Sequence, residues 1–178
     1  MDSIIFHSKE FEMRGARVPE FKLQAGNLIR IYVPNFGNEH LPLGYDLAIE
    51  LAKRFQDQNT DILWAKNYRK SSLYEFIIPL TVKSYLLNKM KIDLATANRI
   101  VSEVGVKLSD RFERLDFTNQ KALIVKANFE KSNSILLDYY RVEAMGIEFL
   151  ESVVNSEIEK GKAAIAFDRL EYVVEHEP

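Results

Sequence analysis

Three short apolar runs constrain this chain most. They are Leu28-Ile29-Arg30-Ile31-Tyr32-Val33, Ser134-Ile135-Leu136-Leu137-Asp138 and Lys162-Ala163-Ala164-Ile165-Ala166-Phe167. Each is too short for a buried helix and is bounded by turn residues, the mark of a strand buried on both faces. A helical pattern follows the first, with Leu43, Leu47, Ala48, Leu51, Ala52 and Phe55 at helical spacing. Another follows the second, with Phe149, Leu150, Val153, Val154 and Ile158 apolar and Gly161 as its stop. Strands alternating with helices predict an α/β fold with a largely parallel sheet.

The segments between are of other kinds. Residues 3–14 and 18–24 read as an antiparallel pair joined near Gly15, and Ala25-Gly26-Asn27 is a turn signal. Asp61-Ile62-Leu63-Trp64-Ala65 reads as a further strand. The middle is helical. Val82, Tyr85 and Leu86 share one face; Leu94, Ala97, Ile100, Val101 and Val104 share a second, closed by Gly105. A third helix covers about 118–130, with Leu123, Ile124, Ala127 and Phe129 inward. Tyr172-Val173-Val174 reads as a strand or a short helix. The 178 residues fit one domain, with a helical subdomain inserted at about 80–130.

Composition excludes several function classes. The net charge of -2 gives no global attraction to nucleic acid or to an anionic membrane. The absence of cysteine removes disulfides, thiolate metal sites and cysteine nucleophiles, and fits a cytoplasmic protein. The N-terminus has no basic and apolar leader, and no apolar run approaches the roughly 18 residues that span a bilayer. Any membrane association is therefore expected through a partner.

In order along the chain, these segments resemble an ABC-type ATPase domain. A strand ending at Val33, the Pro34-Asn35 loop and the following helix resemble a phosphate-binding loop in its setting. Leu80 to Leu86 resembles the opening of that family's helical subdomain, Ile100 to Val106 the stretch before its signature motif, and Gln120 to Asn128 the helix after it. Ser134 to Asp138 resembles a Walker B strand, and Lys162 to Asp168 the strand leading to the switch histidine. The resemblance covers nearly the whole chain, in a form shortened between residues 55 and 80. It implies a P-loop NTPase-like, mostly parallel sheet with an N-terminal antiparallel part and an inserted helical subdomain.

The chemistry implied by that family is replaced at most positions. A phosphate loop needs glycines, a lysine on the phosphates and a Ser or Thr on magnesium. The resemblance puts Val33 and Phe36 on glycine positions, followed by Gly37 and Asn38, with Glu39 in place of the lysine and His40 in place of the Ser or Thr. Glu39 has the wrong sign: two unit charges about 4 Å apart interact by about 4 kcal/mol near a protein surface. Asp138 keeps the magnesium-binding acid, but Tyr139 stands where the catalytic glutamate belongs and Phe167 where the histidine belongs. The signature region, Leu115-Asp116-Phe117-Thr118-Asn119, lacks paired glycines, and the adenine-stacking position falls near Met13, with Phe11 close.

No catalytic residue, resident metal or cofactor is therefore expected, and the degenerate nucleotide positions are Asn35, Gly37, Asn38, Glu39, His40 and Asp138. A metal held by Glu39, His40 and Asp138 is the sharper alternative to a solvated loop. The expected role is a scaffold or regulatory domain in contact with a membrane permease subunit or an active ABC ATPase paralogue; a dimer is left open. Residues 67–76, with Tyr68, Arg69, Lys70, Tyr74 and Phe76, offer a docking patch. Tyr139, Tyr140, Phe36 and Tyr45 either form an aromatic surface or fill space. The alternative is a weak nucleotide-binding ATPase subunit of an ABC transporter, for which Mg-ATP would be the cofactor.

Overall fold

The computed structural model describes residues 4–34, 44–69 and 79–170. Four strands form a fully parallel sheet in the order β5-β8-β7-β6. They are β5 (Leu28–Pro34), β6 (Leu63–Trp64), β7 (Ser134–Asp138) and β8 (Ala163–Leu170). The three apolar runs of the sequence are thus neighbours: β8 lies between β5 and β7, with Ile31 opposite Phe167 and Asp138 opposite the same residue. Strand β6 is shorter than expected and pairs only through Leu63 and Trp64.

Side chains alternate across a strand, so β7 and β8 feed two cores. Leu136, Ile165 and Phe167 face one core, with helix α1 (Gly44–Gln58) and the N-terminal strands. Ile135, Leu137, Ala164 and Ala166 face the other, with the helices of the middle and end of the chain. Phe55 of α1 centres the first core. Its ring stacks on Phe167 at 6.1 Å and meets Phe6 at 5.4 Å and Phe21 at 5.6 Å edge-on.

The N-terminal part differs from a single antiparallel pair. Strand β1 (Ile4–Ser8) pairs with β4 (Phe21–Gln24), while β2 (Phe11–Met13) and β3 (Ala16–Val18) form a separate hairpin. The charged Lys9-Glu10 break separates β1 from β2. The hairpin turns at Arg14 and Gly15, whose φ values of 51° and 79° are the pair of positive angles that a tight two-residue hairpin needs.

The helical middle begins with α2 (Val82–Ser84), whose N-terminus is capped by Thr81, and continues into a π-helical turn, Tyr85–Lys89. Helix α3 (Leu94–Val104) starts at the Asp93 cap and stops at Gly105, with φ 79°. Helix α4 (Phe117–Phe129) starts at Asp116, which accepts from the Asn119 amide at 2.8 Å. Residues 121–129 of α4 are all buried, so the helix has no solvent face beyond its first turn, and more residues point inward than its periodicity suggests. Helix α5 (Ala144–Ile158) packs against it.

That packing depends on Gly146. A Cβ added there would sit 2.1 Å from Thr118 Oγ1, 2.9 Å from Cγ2 and 3.0 Å from Cβ. Rotating the threonine moves Oγ1 and Cγ2 but leaves Cβ at 3.0 Å, so the two helices must also part by a few tenths of an ångström. Gly146→Ala is expected to cost about 1–3 kcal/mol, and Thr118→Ala in the same chain to recover part of it. Urea denaturation of the single and double variants checks this; equal midpoints for the wild type and Gly146→Ala would refute it.

Candidate functional site

Strand β7 ends on Asp138, where a buried polar cluster forms. Asp138 is 1% exposed and Lys121, from the first turns of α4, is 2% exposed. Lys121 Nζ donates to Asp138 Oδ2 at 2.9 Å, to Asn67 Oδ1 at 2.7 Å and, at 3.5 Å, to the Ala65 carbonyl. An ammonium has three protons, and here all three have acceptors. The other carboxylate oxygen, Oδ1, accepts from the Tyr140 amide at 3.2 Å and from Asn67 Nδ2 at 3.5 Å.

The pair is electrostatically closed. Burial pulls the Lys121 ammonium below the usual lysine range, and the facing Asp138 carboxylate opposes that shift. Tyr45 completes the cluster: its hydroxyl accepts from Asn67 Nδ2 at 3.5 Å and its ring lies 5.2 Å from that of Tyr140. Burial raises the Tyr45 phenol, and Asp138 adds to the rise. A void of about 20 Å³ lies beside Lys121, lined by Asn67, Gln120 and Tyr140, enough for a water and no more.

Asp138 in this arrangement does not fit a magnesium site. A divalent ion needs an open carboxylate oxygen and room for its waters. Both oxygens here have donors, and a cation already sits at hydrogen-bond distance. Among the described residues, no group of three or more His, Asp or Glu side chains is placed to hold a metal ion.

The neighbouring positions are packed shut. Tyr139 is 1% exposed, its hydroxyl has no hydrogen-bond partner among the described residues, and the Arg30 guanidinium lies 5.5 Å from its ring centre. Burial pushes its phenol up to about 12, against the opposing charge of Arg30, so it holds its proton at neutral pH. Phe167 is fully buried against Phe55. Tyr139 therefore fills space in the fold, while Tyr45 and Tyr140 pack on each other at the polar cluster. Phe11 lies beneath Arg54, 3.8 Å from its guanidinium carbon.

Asn35, Phe36, Gly37, Asn38, Glu39 and His40 lie outside the described residues, so the meeting of Glu39 and His40 with Asp138 is not seen. Lys70, Tyr74, Phe76 and the 172–174 segment also lie outside them. Of the remaining docking-patch residues, Arg69 is exposed, whereas Tyr68 packs edge-on against Phe112 at 5.3 Å.

Sequence reasoning missed Lys121 and the role of Asn67. One signal for Lys121 was available. The run Lys121-Ala-Leu-Ile-Val-Lys126-Ala has no polar face to carry a lysine into solvent, and a lysine inside such a helix must find a carboxylate.

No protein-family model matches the sequence, and a search of curated proteins gives no significant match. Solved structures do match the fold. An ATP-binding subunit of an ABC transporter superposes with a TM-score of 0.55 at 14% identity, over 85% of this chain and 71% of that one. The protein cbiO1 from Clostridium perfringens, described as part of the ABC transporter complex cbiONQ, superposes with a TM-score of 0.58 at 9% identity, over 95% and 79%. A Pyrococcus furiosus protein assigned as an ABC transporter ATP-binding protein gives 0.60 at 10% identity, over 92% and 88%. At these identities the likeness speaks for the fold alone. Among the described residues, no helix is long and apolar enough to cross a membrane. The parallel β5-β8-β7-β6 sheet, the antiparallel strands before it and the helices between β6 and β7 are accounted for together: the chain has the fold of ABC transporter ATP-binding subunits.

Proposed function

We propose that this chain is a non-catalytic ABC ATPase-like domain that acts through protein contacts, as a scaffold or regulatory subunit. The observation that carries this reading is the closed Lys121–Asp138 pair. The acid that would hold magnesium is buried, and both of its oxygens are engaged. The replacements Glu39, His40, Tyr139 and Phe167 point the same way. One of the fold neighbours is described as part of a transporter complex, which supports a protein partner: a membrane permease subunit or an active ABC ATPase paralogue.

Isothermal titration of the full chain with Mg-ATP tests the reading. The expected result is no saturable heat at ligand concentrations up to about 1 mM, where a −4.1 kcal/mol interaction would register. Micromolar affinity, or hydrolysis that disappears in Asp138→Ala, would overturn it in favour of a weak nucleotide-binding ATPase subunit. That alternative requires Lys121 to leave a site where all its protons are bonded.

A further inference from the structure

Several arginines of this fold are answered by carboxylates. Arg14 pairs with Glu50 at 3.1 Å, Arg17 with Glu10 at 2.9 Å, and Arg30 with Glu151 at 2.6 Å. Arg54, on α1, has no carboxylate partner among the described residues, although it is half-buried. Its guanidinium carbon lies 3.8 Å from the centre of the Phe11 ring. Its Nε is buried without an acceptor among the described residues. Phe11 in turn stands edge-on to the buried Phe55 at 6.2 Å, so the platform under the guanidinium is fixed to the core.

Two open clefts meet at Arg54 and Gln58. One, of about 550 Å³, is lined by His7, Ser8, Lys9 and Asn59. The other, of about 460 Å³, is lined by Met13, Lys53 and Asp57. Lys9 and Lys53 are exposed and have no carboxylate partner among the described residues. Three cations without an ion-pair partner among the described residues thus border the junction, against one such carboxylate, Asp57. A guanidinium held over an aromatic ring has less freedom left to lose on binding, and its fork matches a carboxylate in two parallel hydrogen bonds.

The walls also select against other anions. Asp57 lines the second cleft without an ion-pair partner among the described residues, whereas Glu10 and Glu50 are held by Arg17 and Arg14, so a polyphosphate or a nucleic acid would meet repulsion on the Asp57 side of Arg54. A single acidic side chain on an otherwise neutral segment carries one charge and meets less of it. We infer that Arg54 anchors an acidic side chain of a protein partner at the junction of these clefts, with Lys9 and Lys53 at the rim. This names the chemistry of the partner in the protein-contact reading above and rests on it. The two fail separately, because Mg-ATP titration reports on nucleotide binding and the experiment below on the Arg54 junction.

The test uses the ¹⁵N-labelled full chain and, as probe, the tripeptide acetyl-Gln-Glu-Gln-amide, which carries one acidic side chain; the all-Gln tripeptide is the control. The Nε–H cross-peak of Arg54, identified by its loss in Arg54→Met, should shift saturably, and the all-Gln tripeptide should bind about tenfold more weakly. Backbone shifts at Gln58 should show the same roughly tenfold loss in Arg54→Met, which keeps the apolar stem over Phe11. Lys9→Gln and Lys53→Gln, at exposed positions that leave the fold intact, should each weaken binding about twofold. Equal binding of the probe and the all-Gln tripeptide, unchanged binding in Arg54→Met, or tighter binding of inorganic tripolyphosphate than of the probe would overturn the inference.

Discussion

Lys121→Met will destabilise this protein by about 3–5 kcal/mol, the range for breaking a buried ion pair from one side. Methionine fits the volume, so the loss is electrostatic: Asp138, 1% exposed, loses the cation at 2.9 Å. The Tyr140 amide and Asn67 cannot compensate, because they supply dipoles and no charge. Adding Asp138→Leu to the same chain removes the stranded carboxyl group and should recover most of the loss. Replacing a buried pair by apolar groups is often neutral. Urea midpoints of the two single variants and the double variant give the coupling. A Lys121→Met variant within about 1 kcal/mol of wild type, or a double variant worse than the sum of the singles, would show that the pair does not hold α4 to the end of β7.

Acid will unfold the protein through a second buried carboxylate. Glu157 of α5 is 1% exposed and accepts from Lys126 at 2.6 Å, Lys160 at 2.7 Å and Lys162 at 2.9 Å. Burial alone would raise its carboxyl, but the three lysines outweigh it and hold the group at about 2, below the ordinary 4.5. A depressed carboxyl stabilises the fold fully above its unfolded value and withdraws that stability as pH falls through the folded one. The loss should therefore run from about pH 4.5 down to pH 2, and amount to about 3 kcal/mol. Glu157→Gln should flatten that part of the Tm–pH profile and lower Tm at neutral pH. Some acid sensitivity should persist through Glu103, whose carboxyl burial tends to raise but Lys126 and Arg99 lower. Parallel profiles for variant and wild type from pH 5 to pH 2 would contradict this.

The parts of the fold that were legible in the sequence are those where one physical signal dominates. The runs at 28–33, 134–138 and 162–167 carry enough continuous apolar surface to specify strands covered on both faces, and all three lie side by side. Helix ends were legible where a cap is local, as at Gly105. The N-terminal strands were less so, because alternation through Glu10 and Phe11 does not say that the chain changes sheet there. At the site, Asp138 was legible as a strand-end acid, but its partner was not. Lys121 lies a whole helix away in sequence, and periodicity gives a residue's face without naming what meets it. Tyr139 and Phe167 read as lost chemistry in the sequence; in the fold they are core residues.

The placing of β8 between β5 and β7 also sets a schedule for synthesis. Strands β5 and β7 each bond to β8 and neither bonds to the other. A ribosome delivers both before the residues that join them. At roughly 5–20 residues per second, β7 waits a few seconds with an unpaired apolar edge, and β5 far longer. The sheet cannot grow outward from a finished hairpin; it closes by accepting a strand into its middle. A nascent chain stalled before Ala163 would present two sticky edges at once, and such chains should be caught by chaperones or lost to aggregation far more often than the finished protein.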